Sequence, residues 1–350
     1  MDGLIGALYV IAMLKTKIKK TMIETYQIGT EEYDFIKLKR WFKRSIFSKC
    51  VFLDVSIENN PDTLSEIQMI INGKIFVYDH HILTAKAVDN SSIIVANPTP
   101  QKLNQDEVPI PTFLFALYLA IEGRFLFPDW LLLTAIFAEG VDSFFPEQIE
   151  ELFYSVFGQK VSKQNQRKEF RKTKLAKISP LIRAGFSDRY EGQNILKLFS
   201  IEKFAHGFSE LIEDLTKRYL SLSTKISEII TESVDHLIED IRNNYANDKV
   251  ILIPIDSYPS VVGPIASILR QYYPDKVFLS YLHNENNVMF EIRVSNNSPI
   301  DLVSILTNLS DKVTFYNFGG HSMAAGGLLK KRDLNSFLSL FVAEFKEVNE

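Results

Sequence analysis

The sequence predicts an α/β protein with three parts: an N-terminal doubly wound, mostly parallel sheet, a helical connector, and a smaller C-terminal α/β domain. Three observations predict it. Short β-rich runs alternate with helical segments before residue 100, the pattern of parallel strands joined by crossover helices. Residues 158–247 carry no strand signal, and strand-like runs resume at Lys249. The composition is that of an ordinary globular chain, 46% hydrophobic and 23% charged over 350 residues, enough for about two cores. Only 15 Gly and 13 Pro exclude collagen and low-complexity classes. The expected boundaries are 1–157, 158–247 and 248–350.

Taken in order, residues 3–20 are apolar at helical spacing and end in lysines, with Asp2 where an N-cap would stand. Residues 30–46 read as a second helix opened by Thr30. Cys50–Ile57 and Lys74–Tyr78 are strands separated by Pro61-Asp62-Thr63 and a helix, and Ser92–Ala96 is a third strand. Residues 111–157 read as helices broken by Pro128 and Pro146. An amphipathic run, Glu210–Asn243, forms the connector. Beyond it, Val250–Ile255 and Lys276–Leu282 flank a helix, Val288–Ser295 is another strand, and Leu334–Val348 is a terminal helix.

Charge and cysteine use narrow the function. Lys and Arg number 39 against 43 Asp and Glu, a net charge of −4, so contact with nucleic acid requires a local basic patch. The single cysteine, Cys50, cannot form an internal disulfide; it points to a reducing compartment and argues against a Cys-ligated zinc site. The apolar runs Leu4–Leu14, Phe113–Ile121 and Trp130–Ala138 are all shorter than the roughly 18–20 residues of a membrane span. No basic residue precedes the first, as a secretory signal would require. A cytoplasmic protein with no membrane partner is expected.

Two motifs carry chemistry. Asp79-His80-His81 directly follows a strand, where a doubly wound sheet gathers its ligands, and offers a carboxylate and two imidazoles for a divalent metal and a proton donor. Asp54 ends the neighbouring strand about 5 Å away across the sheet. Each acid could equally serve as an N-cap or a loop ion pair. The second motif, Gly319-Gly320-His321-Ser322-Met323-Ala324-Ala325-Gly326-Gly327, combines paired glycines, which let a ligand approach and bare N–H groups for an anion, with one histidine. A tight packed turn would also explain it. Arg293, on the preceding strand, complements a phosphate held there. His206, His236 and His283 are assigned no role.

An Asp on one strand, DHH after the next, a helical connector and a C-terminal GGHxxAAG together resemble the DHH/DHHA1 phosphoesterases, across essentially the whole chain. VFLDVSI, VYDHH and FGGHSMAAGG carry the likeness, and the HSMAAG form is closest to RecJ-type nucleases. The resemblance implies two Mn²⁺ ions, with Mg²⁺ as an alternative, bridged by a water that attacks phosphorus. It implies that Asp54 bridges the metals and His80 binds the second, that His81 contacts the phosphate and protonates the leaving oxygen, and that Asp79 orients the imidazoles. His321 with the Gly319 and Gly320 amides would hold the substrate phosphate, Ala324, Ala325 and Gly326 would complete that motif, and Arg293 would fix the other end.

The chain departs from the family's first motif, His-x-Asp-x-Asp-Gly. It begins Met1-Asp2-Gly3, so Asp2 matches the motif's second aspartate while the His and first Asp are absent. A further metal-ligating aspartate is replaced by Glu139, with Asp142 less well aligned. Either the true start lies upstream, which the loss of a central strand favours, or the site is degenerate; either way, weak binding of one metal and slow hydrolysis are expected.

The expected function is Mn²⁺-dependent hydrolysis of single-stranded DNA or RNA or short oligonucleotides. Supporting it is a basic stretch at 160–183, with Lys160, Lys163, Arg167, Lys168, Arg171, Lys172, Lys174, Lys177 and Arg183 against Glu169 alone, which could follow a phosphate backbone or simply be a solvated face. The length suggests trimming of short ends and not processive degradation. Two alternatives remain: a non-catalytic scaffold for replication or repair proteins, and a phosphatase of cyclic dinucleotides or adenosine bisphosphate.

Overall fold

The computed structural model describes residues 32–44, 47, 49–53, 61–79, 91–97, 128–187, 195, 198, 208–283, 286–295, 298 and 300–345. The expected helix at 3–20, the runs Leu4–Leu14 and Phe113–Ile121, and Asp2, Asp54, His80, His81 and His206 lie outside these residues. The chain divides into two compact units, Met1–Gln27 with Ile110–Lys225, and Ile28–Pro109 with Ile226–Glu350.

In the second unit, α1 (Glu32–Arg44) ends in Lys43 and Arg44, which suit the negative end of the helix dipole. Strand β1 (Lys49–Leu53), helix α2 (Pro61–Ile71), β2 (Lys74–Tyr78) and β3 (Ile93–Ala96) form a three-stranded sheet in the order β1-β2-β3. Both pairings are parallel, with Val51 opposite Phe76 and Val77 opposite Val95, so α2 is the predicted crossover. Pro61 opens α2. Leu64, Ile67 and Ile71 bury one face of it, and Asn72, left-handed at φ 46°, closes it with its N–H donating to Gln68 O at 3.0 Å.

The first unit is helical over its described residues: α3 (Asp129–Ala138), α4 (Pro146–Phe157), α5 (Gln166–Lys172) and α6 (Ile178–Ser187). The two prolines stand where the sequence places its helix breaks, Pro128 at the N-cap of α3 and Pro146 in the first turn of α4. Helix α3 buries Trp130, Leu131, Leu133, Ala135 and Ile136, and Phe137 stacks on Phe170 with ring centroids 4.1 Å apart. Among the described residues no helix is long and apolar enough to cross a membrane.

Helix α7 (Ser209–Asn244) is one uninterrupted run of 36 residues, about 54 Å long. After it the second unit continues with β4 (Val250–Ile255), α8 (Pro259–Tyr272), β5 (Val277–His283), β6 (Asn287–Arg293), α9 (Leu302–Leu309), β7 (Phe315–His321), β8 (Ala324–Lys330) and α10 (Leu334–Glu344). The five strands form one sheet in the order β4-β5-β6-β8-β7, with β4 and β5 parallel and the rest antiparallel. Alternation along the strands sends Val277, Leu279, Val288, Phe290, Ile292, Ala325 and Leu329 to one face, where they form a core with Leu302 and Leu306 of α9 and Phe337 and Phe341 of α10. Lys276, only 5% exposed, ties α7 to this domain: its Nζ donates to the carbonyls of Tyr245, Ala246 and Asp248 at 3.2, 2.8 and 2.6 Å, at the C-terminal end of the helix.

Candidate functional site

On the parallel sheet, Asp79 is the residue immediately after β2. Its N–H donates to Ala96 O at 3.3 Å, so the β2–β3 ladder fixes it at the carboxyl edge, and its side chain is 1% exposed. A carboxylate at that depth needs partners to stay charged, which suits the orienting role that the DHH tripeptide implies. Burial raises the Tyr78 phenol above its ordinary value, consistent with a weakly solvated edge.

In the helical unit, Glu139 caps the C-terminal end of α3. Asp142, three residues on, is held by Arg167, whose Nε donates to Oδ2 at 2.9 Å while Nη2 donates to Oδ1. A carboxylate engaged on both oxygens has little capacity left for a metal, so Glu139 is the better donor of the two. Partial desolvation pulls the Arg183 guanidinium below its ordinary value, and the nearby Glu139 carboxylate opposes that shift. Among the described residues no group of three or more His, Cys, Asp and Glu side chains could hold a metal ion. Three of the sequence's metal or proton-transfer candidates, Asp54, His80 and His81, lie outside the described residues, as does Asp2.

The C-terminal motif is not a loop. Its glycines lie in β7 and β8, joined by a two-residue turn at Ser322-Met323. Gly319 pairs with Gly326, Gly320 with Ala325, and His321 with Ala324. Successive N–H groups along a strand point to opposite sides, so one of the Gly319 and Gly320 amides turns away from β8 and the other toward it. The expectation that both amides hold an anion is narrowed to one. Gly320 has φ +135°, and a Cβ there would lie 2.3 Å from Ala324 O, so no other residue fits.

The register then sets two rows across the face opposite the core. Arg293 lies opposite Ala324, which lies opposite His321; Glu291 lies opposite Gly326, which lies opposite Gly319. Arg293 and His321 are thus two strand spacings apart, about 10 Å, across a floor no taller than a methyl group. Arg293 is well anchored: Nη1 donates to Glu291 Oε2 at 2.7 Å and to Ile292 O at 2.8 Å, and Nε donates to Ser267 Oγ of α8 at 3.2 Å. One turn further along α8, Arg270 donates to Val294 O at 3.1 Å; burial, then the positive charge of Arg293, hold its guanidinium below the ordinary value. Two arginines and a histidine therefore share this end of the domain with the Glu291 carboxylate. Sequence reasoning found Arg293 and His321 and missed Glu291, Ser267 and Arg270. Glu291 was accessible to it, since residues two apart on a strand share a face.

The basic stretch is less free than its sequence suggests. Lys160 pairs with Glu150, Lys163 with Glu147, Arg167 with Asp142 and Lys172 with Glu169, so four of its nine cations meet carboxylates.

Residues 242–347 match the family model of the DHHA1 domain. Over 98% of its length the chain is similar to RecJ in complex with Mn²⁺ from Thermus thermophilus, at 17% identity and a TM-score of 0.62, and it spans 50% of that protein. It is also similar over 98% of its length to an exonuclease RecJ bound to manganese, at 17% identity and a TM-score of 0.56, spanning 87% of that chain. No curated protein matches the sequence. The fold is RecJ-like, and β4 to α10 lie within the residues that match the DHHA1 model.

Proposed function

We propose that this chain is a divalent-metal-dependent phosphoesterase that hydrolyses phosphodiester bonds of single-stranded nucleic acid or short oligonucleotides. The observation that supports it most is the row Arg293–Ala324–His321: a guanidinium and an imidazole on a floor of small residues, spaced for a phosphate with its attached sugar. The RecJ proteins similar to this chain bind Mn²⁺ or manganese. Of the proposed donors, Asp54 and His80, a carboxylate and an imidazole of the second unit, suit Mn²⁺ or Mg²⁺, as do the carboxylates Asp2 and Glu139 of the first, and the buried Asp79 at the end of β2 is suited to orient that imidazole. When bound, the metal supplies a water of lowered pKa and neutralises phosphoryl charge. The chain's own part is to bind phosphate through Arg293, His321 and one glycine amide, to orient the imidazoles through Asp79, and to deliver a proton to the leaving oxygen from His81.

The test is release of nucleotides from end-labelled single-stranded DNA and RNA by the full chain in Mn²⁺, in EDTA, and with His80→Ala. Release that requires Mn²⁺ and falls sharply with His80→Ala is the expected result. Binding of single strands with no hydrolysis of any oligonucleotide or cyclic dinucleotide would replace the enzyme with a scaffold for replication or repair.

A further inference from the structure

Glu291 is out of place in a site read as phosphate-binding. Its carboxylate lies on the glycine floor: a Cβ added to Gly326 would meet Glu291 Cδ and Oε2 at 3.0 Å. It sits one row from the Arg293–Ala324–His321 line, in the row of Gly326 and Gly319, and so about 7 Å further along the strands. Its charge is already spent on Arg293, and a carboxylate offers no donor to phosphate, so this second row does not receive another anion. It is suited to accept hydrogen bonds: Oε2 is bonded to Arg293, and a carboxylate has acceptor capacity beyond one such bond. The two glycines leave room for a bulky group to lie close against the sheet.

We propose, building on the phosphoesterase reading, that the Glu291 carboxylate accepts a hydrogen bond from a sugar hydroxyl of the nucleotide whose phosphate lies between Arg293 and His321, and so selects ribonucleotides through their 2′-OH. The spacing fits, because a phosphate and the hydroxyls of its own sugar are separated by about the distance between the two rows. Arg293 bridges them: Nη1 holds Glu291 in place, and Nη2, beside Gly263 of α8, is the nitrogen that turns to the phosphate. The 2′-OH is the group by which a protein distinguishes RNA from DNA at a given position, and a carboxylate is the acceptor that dinucleotide-binding folds use for the same hydroxyl. A terminal 3′-OH has the same chemistry, and the test separates the two.

The experiment is fluorescence anisotropy with the full chain in EDTA and three labelled pentanucleotides of one sequence: RNA, DNA with a free 3′-OH, and 2′-O-methyl RNA. Each is measured against the wild type, Glu291→Gln, Glu291→Ala and Arg293→Ala. The wild type is expected to bind RNA about tenfold more tightly than DNA or 2′-O-methyl RNA, one charge-assisted hydrogen bond. Glu291→Ala is expected to bring the RNA to DNA ratio near unity while DNA binding holds or improves, and Glu291→Gln, of the same shape, to lower the ratio. Arg293→Ala should weaken all three ligands together. If Arg293→Ala weakens binding but both Glu291 variants keep the wild-type ratio, the hydroxyl proposal is overturned and the phosphoesterase reading stands. Equal binding of DNA and RNA by the wild type, or equal binding of RNA and 2′-O-methyl RNA, also overturns it. Absence of binding to any oligonucleotide, or indifference to Arg293→Ala, overturns both.

Discussion

The two sheets of the second unit carry their candidate chemistry in different places. In the parallel sheet β1-β2-β3 the strands are largely hydrophobic runs, and the candidate residue, Asp79, comes after β2 has ended. In the mixed sheet β4-β5-β6-β8-β7 the candidate residues Arg293, His321, Gly319 and Gly326 are themselves ladder residues. The difference follows from how each sheet is covered. A parallel sheet packs crossover helices on its faces and leaves only its strand ends for ligands. In the mixed sheet α9 and α10 fill one face and α8 packs on the other over β5 and β6, and β8 and β7 carry small, partly exposed residues. On the proposed function, the first region is the reaction end and the second a binding surface.

Mutations can break that division or sharpen it. The largest effect is expected from Phe337→Ala, whose fully buried ring lies 4.8 Å from that of Phe290: about 3–5 kcal/mol of stability lost in denaturant melts, with oligonucleotide binding lost as well. Gly320→Ala forces a Cβ onto Ala324 O, and about 2–3 kcal/mol is expected, with the β7–β8 hairpin losing amide-exchange protection before β1–β3 do. Arg293→Ala is expected to cost less than about 1 kcal/mol of stability while weakening oligonucleotide binding about tenfold and lowering its salt slope by about 1; a large loss of stability with unchanged binding would make Arg293 structural.

Cys50 tests the parallel sheet. Burial pushes its thiol up to about 12, so at pH 8 it stays protonated, and alkylation should be much slower in the native protein than in urea. The sign for stability follows: the folded value is raised, so the contribution is intact below the unfolded thiol's ordinary range, near 8.5, and falls as the pH climbs from there toward 12. The smallest effect is expected from Lys163→Ala in the basic stretch, with no measurable shift of the denaturant midpoint, because its pair with Glu147 is exposed on both sides.

What the sequence could reveal divides along the same line. Helix α7 was legible nearly to the residue, since a 3.6-residue pattern over 36 positions leaves little ambiguity. The strand–helix–strand order at 49–78 was legible because β-rich runs flank a proline-opened helix. The β7–β8 hairpin was not: four glycines in nine residues depress strand propensity, and the pairing is imposed by β6, which lines up Glu291 with Gly326 from 35 residues away in the chain. The pairing of the basic stretch was not legible because three of its carboxylate partners, Asp142, Glu147 and Glu150, precede it in sequence and meet it only in the fold.

The most direct test of the division between reaction end and binding face is a split of steady-state constants on a short single-stranded RNA in Mn²⁺. If the account holds, His80→Ala lowers kcat and leaves KM near the wild-type value, while Arg293→Ala and His321→Ala raise KM with a smaller change in kcat. An Arg293→Ala variant with unchanged KM, or a His80→Ala variant whose loss lies wholly in KM, would contradict it.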